Sequence, residues 1–318
     1  MRFSLYATIS LLSFACAPQS INENQYQSSG DVAKMFVGEA EQDAPLSTES
    51  DIESEPEGQS ISDAAALCNG NMVSQRGMDL LANLARPGED EDIYTTYSRV
   101  EGIADIFETC NDPWGMFPTT YRHITARGIK GIEDGSFEDE QWAEDIIVDF
   151  AGRYMANLEA ALTRGEPSWA WERYYELADR DDVSKTRSVL MAMNAHLLLD
   201  LPHSLAAIGT TEENKADFFY FGDIMIEVCD DFIVDLKDVY GTDAEDILNG
   251  FFFGNWVDGA FGQETMITLS YQTIRTKSWN NRGYIQSGMG WVADAEIYTS
   301  FWAIDAVMRG LDGAGIID

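Results

Sequence analysis

Two of the three histidines of this chain stand in one run of ten residues, Asn194-Ala-His-Leu-Leu-Leu-Asp-Leu-Pro-His203, with a carboxylate between them. On a helix His196 and Asp200 fall on one face, four residues apart, and His203 follows three residues later. Imidazole and carboxylate at that spacing suit proton transfer. They also suit one divalent metal such as zinc, which accepts nitrogen and oxygen ligands and makes its bound water nucleophilic near neutral pH. The candidate metal ligands are therefore His196, Asp200 and His203, with His123, Asp223 and Asp230 as further donors. His196 and Asp200 are the candidates for a catalytic role. The same pattern equally serves packing, because a buried imidazole and a buried carboxylate can satisfy one another inside a bundle. Val189, Met193, His196 and Asp200 share one stripe, so His196 points where apolar side chains point, which favours the packing use.

The elements that must carry these residues read as helices. Trp142, Ile146, Phe150, Tyr154 and Leu158 recur every four residues between Glu138 and Arg164, and Gly165-Glu-Pro167 stops the run. The same reading predicts helices over 92–107, 118–132, 168–178, 184–200, 211–239, 263–280 and 294–309. Pro202 is expected to end the helix carrying His196 or to begin the next. No stretch alternates with period two. The predicted fold class is all-α, one multi-helix bundle domain over residues 61–318.

Ahead of that domain the chain changes character twice. Met1-Arg2 followed by an apolar run from Leu5 to Ala15 reads as an export signal, too short for a permanent membrane span. It ends at Cys16, the expected lipidation site of a bacterial envelope lipoprotein. Cleavage after Ala17 is the competing reading, which Pro18 makes a poor substrate. Residues 17–60 are rich in Gln, Ser, Asn and acidic side chains and hold too little apolar surface to offset the entropy of ordering. They predict a disordered acidic linker, and the membrane, reached through the N-terminal lipid, is the expected partner.

The formal net charge is −35, from 55 acidic and 20 basic residues. A surface of that sign repels phosphate backbones, which excludes nucleic acid as an expected partner. Of the four cysteines, Cys68 and Cys110 each precede an asparagine in loop-like sequence and are the expected disulfide outside the cytoplasm. Cys229, on an apolar helical face, is left as a free thiol with no activating histidine nearby. Asp179-Arg-Asp-Asp182 falls short of a calcium loop, lacking its glycine and terminal glutamate. There is no G-x-S-x-G, no Walker motif and no H-E-x-x-H. Arg275, Lys277 and Arg282 form the one notable basic cluster near the end of the chain. It is expected to pair with Asp200 or with acidic helices, Trp279 offering a platform for an anion as the alternative. The glycine and aromatic stretch 253–262 is read as a packed connection.

Phe117, Tyr121, Thr125, Phe137-x-Asp139, Phe150-Ala151, Tyr154, Trp169, Trp171, the run Met193-Asn-Ala-His196 to Asp200-Leu-Pro202, and Arg275 with Trp279 occur in an order that resembles an uncharacterised bacterial family of all-helical domains of unknown function. Its core motif is N-A-H-x-x-x-D-L-P, and the resemblance covers roughly 92–282. It implies an all-α domain, marks Asn194, His196, Asp200 and Pro202 as the family motif, and implies no activity. More distantly the motif resembles the helical zinc-dependent phospholipase C and nuclease group, where His and Asp from several helices hold clustered zinc. Three histidines are too few for such a cluster, and the N-terminal metal-binding tryptophan of that group has no counterpart. Two functions follow as expectations. One is a binding or structural envelope module, with a protein or small-molecule partner, built round a semi-buried Asn/His/Asp centre. The alternative is a metal-dependent hydrolase of esters or phosphodiesters.

Overall fold

The computed structural model describes residues 66–88, 91–242, 244–245, 248 and 271–317, all within one unit, Pro56–Asp318. The expected leader, Cys16, the acidic linker and the stretch 253–262 lie outside the described residues. What is described is helical almost throughout, as the all-α reading holds. A two-residue antiparallel pair, β1 (Cys68–Asn69) and β2 (Met72–Val73), turns at Gly70, whose positive φ of 68° glycine accepts without strain. Strands this short leave no alternation to detect.

The helices follow as α1 (Gln75–Ala85), α2 (Ile93–Cys110), α3 (Met116–Glu133), α4 (Glu140–Leu162) and α5 (Trp169–Ala178). The central rod comprises α6 (Lys185–Asn194), a π-helical turn (Ala195–Asp200) and α7 (Leu201–Ala207). Then come α8 (Lys215–Glu227), α9 (Cys229–Tyr240), α10 (Tyr271–Gln286) and α11 (Gly290–Gly313). Helix α1 had no counterpart in the sequence reading. The single helix expected over 211–239 is two, broken at Val228, whose backbone (φ −99°, ψ 8°) leaves the helical region. Asp223 and Asp230 therefore belong to different helices and do not share a face as a seven-residue spacing on one helix would require.

Local chemistry sets the ends. Asp139 caps α4 by accepting from the Trp142 amide at 3.0 Å, and Ser184 caps α6 by accepting from the Arg187 amide at 3.1 Å. The stripe Trp142, Ile146, Phe150, Tyr154 and Leu158 is buried as its spacing predicts. Each such side chain contributes on the order of 1.5–3 kcal/mol relative to exposure. A disulfide joins Cys68 to Cys110, and the Val73 amide donates to Asp112 at 2.9 Å. The hairpin is thereby fastened to the end of α2.

Every residue from Thr186 to Leu198 is buried, so the rod is not an amphipathic surface helix but the axis of the bundle. Helices α4, α5, α10 and α11 pack round its π turn. Pro202 begins the next helical segment, one of the two places expected for it: it lies buried at the second position of α7, and the rod continues through it. The turn before it is widened, with the Leu201 amide donating to the His196 carbonyl five residues back. Having no N–H, Pro202 leaves the carbonyls behind it short of a donor, and Ser278 Oγ of α10 lies 2.5 Å from the Leu197 carbonyl oxygen. The proline is accommodated by the π turn and by a hydroxyl from a neighbouring helix.

Candidate functional site

The π turn presents His196 and Asp200 to α3, α4 and α5. His196 Nδ1 lies 3.0 Å from Asp200 Oδ2, and the same oxygen accepts from Trp171 Nε1 at 2.8 Å. A carboxylate oxygen has two lone pairs, so both bonds are satisfied with Nδ1 carrying the imidazole proton and Nε2 left as the acceptor. Nε2 is buried and has no partner. The ring lies flat on Phe150, centroids 3.4 Å apart, and meets Phe117, Tyr121 and Trp171 edge-on at 5.1, 4.8 and 5.9 Å. His196 is 3% exposed and Asp200 4%. The centre is closed rather than semi-buried, because the part of the rod that carries it is buried continuously from Thr186 to Leu198 and again at Asp200.

Burial pushes the His196 pKa below its ordinary 6.5, and the attraction of Asp200 opposes this without reversing it. The imidazole is therefore neutral at neutral pH. Burial likewise raises Tyr121, Tyr154, Tyr174 and Tyr175. These phenols stay protonated, and the Tyr154 and Tyr175 hydroxyls are buried with no partner.

The remaining sequence candidates are dispersed. Asn194 donates from Nδ2 to the Leu190 carbonyl at 2.9 Å, back along its own helix, and does not join the pair. His203 turns outward on α7, with Nε2 3.8 Å from Asp294 of α11. Its pKa is lowered, first by burial and then by the charge of Arg153. His123, half-buried on α3, lies 2.7 Å from Asp235 of α9. Asp223 and Asp230 are exposed. Cys229 is buried, and burial pushes its thiol up to about 12, far from a thiolate nucleophile. Among the described residues no group of three His, Cys, Asp or Glu comes together as a metal would need.

The basic cluster does not reach Asp200. Lys277 pairs with Glu296, and Arg282 bonds Glu212 at 2.9 Å while lying 3.9 Å from the Trp279 ring centroid. The tryptophan platform thus carries the chain's own cation. Arg275 is buried between α8 and α10. What sequence reasoning did not assign is the role of Trp171 as donor to Asp200 and of Ser278 as partner of the rod. The aromatic order did contain the signal: Phe117, Tyr121, Phe150 and Trp171 are the side chains that enclose His196.

A family model of unknown function matches residues 93–296, from the start of α2 into α11, with the whole rod inside it. The chain belongs to the Family of unknown function (DUF5995). The family carries no assigned activity, so it adds an identity for the fold and none for the chemistry. No curated protein and no solved structure matches the chain.

Proposed function

We propose that the chain is an exported, lipid-anchored helical module of the bacterial envelope, and that its His196–Asp200 centre fixes the core of a binding domain. The observation that carries this reading is the enclosure of His196: a neutral ring stacked on Phe150, hydrogen-bonded to a carboxylate that Trp171 holds from its other side. A hydrolytic centre needs a path for substrate and water, and four aromatic rings occupy that space. The Cys68–Cys110 disulfide fits an oxidising compartment, and Cys16 at the end of an apolar run fits lipidation. The strongly acidic composition argues against nucleic acid as a partner.

One observation favours the second reading, a metal-dependent hydrolase of esters or phosphodiesters: His196 Nε2 is a buried lone pair without a donor. Elemental analysis of the untagged chain and of His196→Ala separates the two. The core reading expects no stoichiometric transition metal after supplementation and a destabilised variant. Near-stoichiometric zinc that His196→Ala loses would establish the hydrolase instead. Lipidation is checked by radiolabelled fatty acid, whose incorporation Cys16→Ala should abolish.

A further inference from the structure

A groove of ≈ 440 Å³ lies on the surface where the start of α2, the first half of α4 and the end of α7 meet. Its floor is apolar: Ile93 is 5% exposed, and Val148 and Ile208 are half-buried. Along the rim stand the carboxylates of Glu91, Asp92, Glu144, Asp145 and Asp149, and among the described residues no lysine or arginine lines it. Three of these carboxylates are engaged. Asp92 caps α2 by accepting from the Thr95 amide at 2.7 Å, Glu91 pairs with Arg99, and Asp149 bonds Arg153 at 2.7 Å. Asp145 accepts from the neutral Gln141 amide at 2.9 Å, and neither it nor Glu144 has a cation partner among the described residues. Tyr94 is 56% exposed, with its hydroxyl donating to Glu133 at 3.2 Å and its ring open to solvent. Its phenol is raised above the ordinary value, first by the bond to Glu133, and the nearby charge of Glu144 adds to the effect.

A second acidic hollow, lined by Glu138, Asp139, Glu140, Glu213, Asn214 and Asp217, shows what the fold does with acid that serves structure. Asp217 accepts from the Glu138 and Asp139 amides, each at 2.8 Å, and Asp139 caps α4. No apolar side chain lines that hollow. The groove differs in joining unpaired charge to an apolar floor and an exposed ring. Among the described residues no three carboxylates converge as a metal would need, so the charge is spread along the groove and not focused on one ion. An arginine within a peptide suits all three features. Its guanidinium stacks on an aromatic face and pairs with a carboxylate, while neighbouring residues bring apolar side chains to the floor.

We propose that this groove docks a short arginine-bearing segment of a partner protein, with a guanidinium lying over Tyr94 beside Glu144 and apolar side chains seated on Val148 and Ile208. Charge complementarity selects the occupant. The groove is negative and so is the chain as a whole, which draws in a cationic segment and repels anionic lipid and nucleic acid. The inference rests on the proposed binding role and names the chemistry of its partner. It does not involve His196, so its failure would leave the metal test of that centre untouched.

The test is fluorescence anisotropy of the full chain with a labelled hexapeptide of alternating arginine and leucine, at about 0.15 M salt, where exposed charges more than about 8 Å apart are largely screened. Peptides alternating arginine with serine and citrulline with leucine, and spermidine as a bare polycation, serve as comparison ligands. The expected result is saturable binding of the arginine–leucine peptide, weakened about tenfold by Glu144→Gln with Asp145→Asn and several-fold by Tyr94→Ser. The pair Glu138→Gln and Glu213→Gln removes the same charge from the other hollow and should leave binding unchanged. Each comparison ligand should bind at least about tenfold more weakly. The substituted side chains are exposed or half-buried, so the variants should melt as wild type does. Should the α4 pair fail to fold, Asp145→Lys, at an exposed position, decides by the same comparison. No saturable binding, binding unmoved by the α4 pair or by Tyr94→Ser, or a comparison ligand that rivals the arginine–leucine peptide would overturn the proposal. Equal weakening by the two pairs would mark general attraction to an acidic surface and would equally overturn it.

Discussion

His196–Asp200 and His123–Asp235 are the same pair of side chains in two settings. The first spans 3.0 Å on the axis of the bundle, with side chains 4% and 6% exposed. The second spans 2.7 Å between α3 and α9, at 25% and 31%. The shorter pair is the weaker structural element. Water solvates His123 and Asp235 whenever they separate, and Arg122 offers Asp235 a second partner at 2.9 Å. Nothing replaces Asp200 for the Nδ1–H of His196 or the Nε1–H of Trp171. Burial, and not contact distance, decides what each pair is worth.

The largest effect should come from Asp200→Ala, which strands two buried donors. Each buried donor left without its acceptor costs about 1–3 kcal/mol, and the combined loss is to be read from urea unfolding at an unchanged denaturant slope. A loss below that of Asp235→Ala would break the comparison. Trp171→Phe keeps most of the aromatic packing and removes one bond to the carboxylate, an expected cost of about 2 kcal/mol by the same measurement.

Acid separates the pairs next. The folded pKa of His196 lies below the ordinary 6.5, so below that pH the unfolded chain binds a proton that the folded chain refuses. Stability from this group is complete above pH 6.5 and is lost as pH falls towards the depressed folded value. The difference in unfolding free energy between wild type and His196→Gln should therefore shrink on acidification from 6.5. A difference that widens would mean that the folded pKa is raised. The smallest effect belongs to His123→Ala: within about 1 kcal/mol, and diminished by salt.

How much of this was legible beforehand varies with how local the cause is. The stripe from Trp142 to Leu158 has a period of its own, and its burial follows. The His196–Asp200 contact is a one-turn relation and was equally open to reading. The burial of the rod on every side from Thr186 to Leu198 depends on which helices cover it, and Asn194, Ser188 and Arg187 read as polar interruptions until α11 supplies Asp305 to Arg187. The passage of the helix through Pro202 needed a π turn and a hydroxyl eighty-one residues away, neither of which leaves a periodic trace. The break at Val228 was hidden because 215–227 and 229–240 are both helical on their own terms. His203 diverges from Asp200 because it turns outward on α7, against Asp294 of α11 and not into the core, a placement set by a distant helix and not by its spacing.

Nitrogen NMR of the His196 ring, in specifically labelled protein with and without one equivalent of zinc, tests the central claim most directly. The expected spectrum is that of a neutral imidazole protonated at Nδ1, stable from pH 8 down past 6.5 and unmoved by zinc. A ring that gains its second proton above pH 6.5, or whose Nε2 resonance shifts on addition of zinc, would contradict a closed and neutral core pair.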